Sequence, residues 1–175
     1  MPNLKPIPES AIPAALEKVL RYRLLNEPLE AESICLDILN SDPDNEEALA
    51  NLLLARTDLF AEEYTAAFER AKAVLPKLKS DYDRAYYEGV VHERWAKAQT
   101  ARRVPGHVVT GWYLRAMRCF ERAETLAPAD NPDAILRWNT CARLLDRDAT
   151  AQAGQQSIHR DIEAEFGEEV HSVKR

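Results

Sequence analysis

The sequence predicts an all-α fold, and three observations carry that prediction. Ala, Leu, Glu and Arg dominate a chain of 175 residues with only 5 glycines, and these side chains lose little rotamer freedom in a helix. The β-branched runs and the Asn-Gly or Asp-Gly pairs that announce strands and hairpins are absent. Apolar residues recur three and four positions apart and repeatedly stop at a proline, the pattern of amphipathic helices that end where a backbone N–H is missing. A composition of 46% hydrophobic and 30% charged residues suits one helical domain with a charged surface, spanning 1–175.

The elements follow in chain order. Pro13 to Leu25 carries Leu16, Val19, Leu20 and Leu24 with Tyr22, and Asn26-Glu27-Pro28 interrupts it. The apolar period resumes from Leu29 to Leu39. Ser41-Asp42-Pro43-Asp44-Asn45 supplies residues able to cap a helix, and Glu46 to Leu59 is the helix they precede. Tyr64, Phe68 and Ala71 mark the next helix, closed by Pro76. Asp81 to about Arg102 is a longer one containing Gly89, a residue that costs about 1 kcal/mol against Ala inside a helix and therefore suggests a close helix crossing. A further helix carries Ala116, Phe120 and Ala123 and stops at Pro128. Asn131 to Leu145 reads as another, and Ala149 to Phe166 as a closing helix with a polar outer face.

Three sets share one register: Ala31, Cys35, Ile38 and Pro43; Tyr64, Phe68, Ala71 and Pro76; Ala116, Phe120, Ala123 and Pro128. In each, three residues fall on one helix face and the proline lies beyond its end. The pattern resembles that of the tetratricopeptide repeat family. Tyr22, Ala31 and Pro43 match in the first repeat, with Cys35 and Ile38 in place of the family's aromatic and alanine; Phe68, Ala71 and Pro76 match in the second. The third is the fullest, with Ala85, Tyr86, Gly89, Ala116, Phe120, Ala123 and Pro128. Pro43 to Pro76 spans 33 residues, near the family period of about 34, whereas Pro76 to Pro128 spans 52. The extra residues lie between Trp95 and Trp112.

The resemblance implies a right-handed solenoid of antiparallel helix hairpins. Its repeats would cover approximately 12–45, 46–78 and 81–130, with an insertion at 96–111 in the third and a partial repeat with a C-terminal capping helix at 131–167. It also implies a protein–protein interaction module that presents a preformed groove to a peptide. Asn139 and Arg143, four residues apart on one helix, resemble the amide and basic pair that such grooves use. The lysine-rich carboxylate clamp of chaperone-binding members is not reproduced, since Leu16 and Leu20 occupy the matching face.

Catalytic patterns are missing. There is no phosphate-binding glycine loop, no nucleophile elbow and no Cys-x-x-Cys pair, and His92-Glu93 lacks the second histidine that a zinc helix needs. Cys35, Cys119 and Cys141 are widely spaced among apolar residues and are expected to be buried thiols. Neither an enzyme nor a cofactor is expected, and the metal set is empty. The apolar runs fall short of the roughly 20 residues that span a bilayer, so a cytoplasmic protein without membrane contact is expected.

Charge placement is the remaining signal. Residues 1–80 hold 9 Lys/Arg against 14 Asp/Glu, whereas 84–122 hold 8 against 3, inside a chain of net charge −6. The basic stretch also contains the aromatics Trp95, Trp112 and Tyr113. Arg and aromatic residues are enriched at energetically dominant interface positions, so Arg94, Trp95, Arg102, Arg103, Trp112, Tyr113 and Arg115 are candidate partner-binding residues, beside Asn139 and Arg143. The expected partner is a protein or peptide with an acidic segment. The competing reading is a solvated helix face with two tryptophans pinning an insertion. Nucleic acid is disfavoured by the acidic total and the lack of a recognition motif. A structural subunit of a homo-oligomer is the alternative function.

Overall fold

A computed structural model of the chain describes residues 3–148, so the expected closing helix at 149–166 lies outside the described residues. Every regular element among them is helical. They are α1 (Ile12–Leu24), α2 (Pro28–Ser41), α3 (Glu46–Asp58), α4 (Thr65–Lys72), α5 (Asp81–Ala101), α6 (Gly106–Leu126) and α7, described over 133–148. Short 3₁₀ turns sit at Glu9–Ala11, Leu59–Ala61 and Leu75–Lys77.

Local chemistry sets these bounds. Pro13 and Pro28 occupy first-turn positions of α1 and α2, where a proline loses no intrahelical bond. Asn45 and Ser80 cap α3 and α5, accepting from the backbone N–H groups of Ala48 (2.9 Å) and Asp83 (3.2 Å). Asn26 follows α1 with φ of 59° and lets the chain reverse after three residues, a conformation that Asn tolerates better than most side chains.

Each helix packs on the next, α1 on α2, α3 on α4 and α5 on α6, and the first helices also meet one another, α1 with α3 and α3 with α5. Two apolar clusters result. Val19, Ile38, Leu53, Phe60 and Trp95 belong to one, Ala85, Val90, Phe120, Ala123 and Cys141 to the other, and Leu54 and Trp112 pack against both. At Gly89 α6 packs tightly on α5: a Cβ placed there would lie 2.5 Å from the Phe120 ring.

One expectation holds and one is corrected here. The 96–111 insertion is taken up by the helices themselves: α5 ends at Ala101, close to the expected Arg102, the chain turns over at 102–105, and α5 and α6 have 21 residues each. Tyr64 does not begin a helix turn. It precedes α4 with φ of 46°, and α4 has only eight residues.

The lengthened hairpin fills the space beside that short helix. Trp95 stacks on Phe68 (4.4 Å between ring centroids) and lies 4.5 Å from Tyr64, while Phe60 meets it edge-on at 5.5 Å. With its amide oxygen turned inward, buried Gln99 accepts from Trp112 Nε1 at 2.9 Å and from Trp95 Nε1, which satisfies both indoles away from water. Arg102 continues this joint by lying over the Tyr64 ring at 4.0 Å and donating to the Ala61 carbonyl.

Ion pairs stitch the hairpins together. Asp58 of α3 takes Arg23 of α1 (2.9 Å) on one oxygen and Arg94 of α5 on the other. Glu32 of α2 holds Arg56 of α3 at 2.8 Å. Glu93 of α5 is fully buried and pairs with Lys97 one turn on and with Arg137 of α7 at 3.2 Å. Burial alone would lower the Arg137 pKa, but Glu93 and Tyr86 outweigh it and raise it above the ordinary value.

Candidate functional site

The structure separates the residues that the sequence had grouped. Trp95 is 6% exposed and Tyr113 is 3% exposed, so both are core residues and neither is a surface anchor. Burial pushes the Tyr113 phenol up to about 12. Arg94 is committed to Asp58 and Thr57. Arg102 is committed to Tyr64 and Ala61. Arg103 is exposed in the turn after α5 with φ of 58°. The basic stretch is therefore spent partly on holding helices together, because a charge balance summed along the chain takes no account of helix faces.

What remains on the surface converges on α6. Arg115, Arg118 and Arg122 follow one another at three- and four-residue intervals on its exposed side, the spacing of one helix face. Arg115 lies over the half-buried Trp112 ring at 4.5 Å, a cation–π contact that holds the guanidinium outward. Arg118 donates to the Leu114 carbonyl, and neither it nor Arg115 makes an ion pair with a described residue.

Beside this face lies an open cleft of about 750 Å³ between α4, α5 and α6. Leu75, Pro76 and Leu126 provide its apolar lining, and Lys72, Arg84 and Arg122 its cations. Asp81 and Glu88 also line it, each engaged by an arginine: Arg84 with Asp81, and Arg122 with Glu88 at 2.7 Å. These pairs are exposed, and exposed pairs contribute only about 0–1 kcal/mol. An incoming carboxylate can exchange with them at little cost. Lys72 holds Glu69 at 3.5 Å and lies 5.2 Å from the Phe68 ring centre.

His92 adjoins this side, with its ring centre 5.4 Å from that of Trp112 and its Nδ1 3.8 Å from Cys119 Sγ. Burial lowers the His92 pKa, Arg115 and Lys72 lower it further, and Glu88 opposes them. Burial pushes the Cys119 thiol up to about 12, with Glu88 raising it further. A neutral thiol beside a neutral imidazole is a packing pair, since the thiolate is the nucleophilic form. No group of His, Cys, Asp and Glu among the described residues has metal-holding geometry. Cys35, Cys119 and Cys141 are all buried free thiols, as expected.

Asn139 and Arg143 both lie on α7, half-buried and exposed respectively. Cys141 packs inward, whereas Leu136 is 58% exposed. Trp138 reaches across to Glu121 of α6 at 3.0 Å. Sequence reasoning overlooked Lys72 and Leu75 because they belong to the acidic first half of the chain, and it left out Arg122 because that residue reads as an ordinary member of the repeat helix. The available signal was the spacing of Arg115, Arg118 and Arg122 on a helix whose opposite face is apolar.

No protein-family model matches this sequence, and no curated protein and no solved structure matches it. Among the described residues no helix is long and apolar enough to cross a membrane.

Proposed function

We propose that this chain is a protein–protein interaction module of tetratricopeptide-like helical hairpins, stacked as a short right-handed solenoid, that binds an acidic segment of a partner protein. The binding surface is the α4–α5–α6 cleft with the exposed face of α6, and no chemistry is performed there. One observation carries the reading: cations from three helices, Lys72, Arg84 and Arg122, rim an apolar-lined cleft on a protein of net charge −6. The meeting of α1 with α3 and of α3 with α5 supports the stacked arrangement. The Gly89–Phe120 crossing supports the third repeat.

The mechanism is presentation of a preformed surface on rigid helices, so little ordering entropy is lost by the receptor. Charge accelerates encounter and apolar burial slows release. The test is to recover the partner by affinity capture and measure binding kinetics for Arg115→Glu with Arg118→Glu at two salt concentrations. Association should slow about tenfold or more and lose most of its salt dependence. A folded double reversal that associates at the wild-type rate removes the exposed face of α6 from the binding surface, and the same result for Lys72→Glu with Arg122→Glu removes the cleft.

A homo-oligomeric subunit is the second reading, favoured by Leu20, Leu24, Leu25, Leu29 and Leu36, which all remain exposed on the first hairpin. Light scattering across a concentration series decides it: a strict monomer excludes it.

A further inference from the structure

The chain carries its own acidic segment. Beyond Asp148 it continues for 27 residues, and 161–170 contains Asp161, Glu163, Glu165, Glu168 and Glu169 with no Lys or Arg. Interleaved with them are Ile162, Phe166 and Val170, spaced by four. That combination of carboxylates and regularly placed apolar residues is the chemical complement of the cleft, where cations rim Leu75, Pro76 and Leu126.

We infer that residues 161–170 occupy the α4–α5–α6 cleft of their own chain and compete there with the partner. The inference rests on the reading of that cleft as a site for an acidic protein segment. Three observations support it. Charges are complementary: five carboxylates without a cation meet Lys72, Arg84 and Arg122, with Arg118 beside them and unpaired among the described residues. The cleft's existing ion pairs are exposed, so the tail's carboxylates can replace Asp81 and Glu88 as partners at little cost. The tether is long enough. The described part of α7 ends where the Asp148 charge acts on Tyr113 of α6, and the 12 residues from 149 to 160 can extend to roughly 40 Å. Passing from there to the cleft means rounding one helix, about 10–12 Å across, and running along α6 from the level of Tyr113 to that of Arg122 and Leu126, roughly 14–20 Å.

A tethered ligand meets its site at an effective concentration in the millimolar range. Even weak affinity for an isolated peptide is then enough to keep the cleft filled. Partner binding would be set by how well the partner's acidic segment displaces the tail. The rim arginines would carry both interactions.

The probe is a fluorescein-labelled peptide with the sequence of residues 157–171, titrated by anisotropy into the full-length protein. It is compared with a full-length variant carrying Glu163→Gln, Glu165→Gln, Glu168→Gln and Glu169→Gln. A control variant carries Glu9→Gln, Glu17→Gln, Glu27→Gln and Glu30→Gln, which change net charge equally on the first hairpin. The peptide should bind the tail variant about tenfold more tightly than wild type or the control. That gain should vanish when Lys72→Glu and Arg118→Glu are added, with folding verified by circular dichroism.

Equal affinity for all three proteins, or an equal gain in the control, overturns the proposal. So does a gain that survives the cleft reversals, which would put the tail elsewhere. A concentration-dependent dimer dissociated by the peptide assigns the cleft to the tail of a second copy and overturns the intramolecular form. These results are separable from the partner reading: a partner whose association still depends on Arg115 and Arg118 sustains that reading even if the peptide binds nowhere.

Discussion

The second and third hairpins solve the same packing problem in opposite ways. In the second, α3 is 13 residues long but α4 only eight, and the chain between them passes through a 3₁₀ turn and through Tyr64 at φ of 46°. In the third, both helices have 21 residues. The long pair covers what the short pair leaves open. Trp95 and Trp112 lie against Phe68, and Arg102 and Trp95 hold Tyr64. A positive φ costs a bulky residue on the order of 1–3 kcal/mol and persists only where its surroundings fix it. The extra residues of the third hairpin are thus a structural complement to the shortened helix before them.

The α5–α6 interface is most sensitive at its centre. Ala123→Arg places a charge at a fully buried position of the α5–α6 interface, so it should cost more than about 4 kcal/mol and prevent folding. Ala127→Arg, at the half-buried end of the same helix, should stay folded. Equal denaturation midpoints for the two would show that α6 does not face α5 as described. Trp95→Ala tests the joint between the hairpins. Removing a buried ring that touches Phe60, Tyr64 and Phe68 should cost about 3–5 kcal/mol, and the loss should appear as an earlier unfolding of the second hairpin in hydrogen exchange.

Smaller changes sharpen the picture. Gly89→Leu forces a side chain into the Phe120 ring and should lower stability by about 1–3 kcal/mol in urea titration; an unchanged midpoint would mean that α5 and α6 are farther apart at this crossing. Arg102→Ala loses one cation–π contact and one carbonyl hydrogen bond at an exposed site, so a loss of about 0.5–1 kcal/mol is expected. The last effect is pH-dependent. Because the folded pKa of His92 lies below its ordinary 6.5, the folded state favours the neutral ring. Its contribution is complete above about 6.5 and declines as pH falls through that value toward the folded pKa. Thermal melts from pH 7.5 to 5.5 should therefore slope downward on acidification, and His92→Gln should flatten that slope.

Much of the helical pattern was legible because it rests on local rules. Proline stops, Asn45 in its cluster of cap residues and the three- and four-residue apolar spacing depend on neighbours within one turn. The break at Tyr64 was not legible, since nothing in Glu62-Glu63-Tyr64-Thr65 forbids a helix and the conformation is imposed by Trp95 and Arg102 from a later hairpin. The candidate site suffered in the same way. Arg94 and Arg115 look alike in sequence, but one faces Asp58 across a helix contact and the other stands over Trp112 toward solvent. Glu93 with Lys97 reads as an ordinary surface pair four residues apart, and nothing nearby in sequence announces that Glu93 is fully buried and also paired with Arg137 of α7.

That buried carboxylate has a consequence for the order in which the molecule can be assembled. Lys97 is available as soon as α5 coils, but Arg137 lies 44 residues after Glu93, and half a buried ion network is worse than none. During synthesis, α5 and α6 can meet through Gly89 and Phe120 before α7 exists. The carboxylate gains its second cation only after the chain has emerged past Arg137. The same requirement fixes register: a slip of one helical turn would carry the guanidinium about 5.4 Å along the helix axis, out of reach of the charge it was placed to meet.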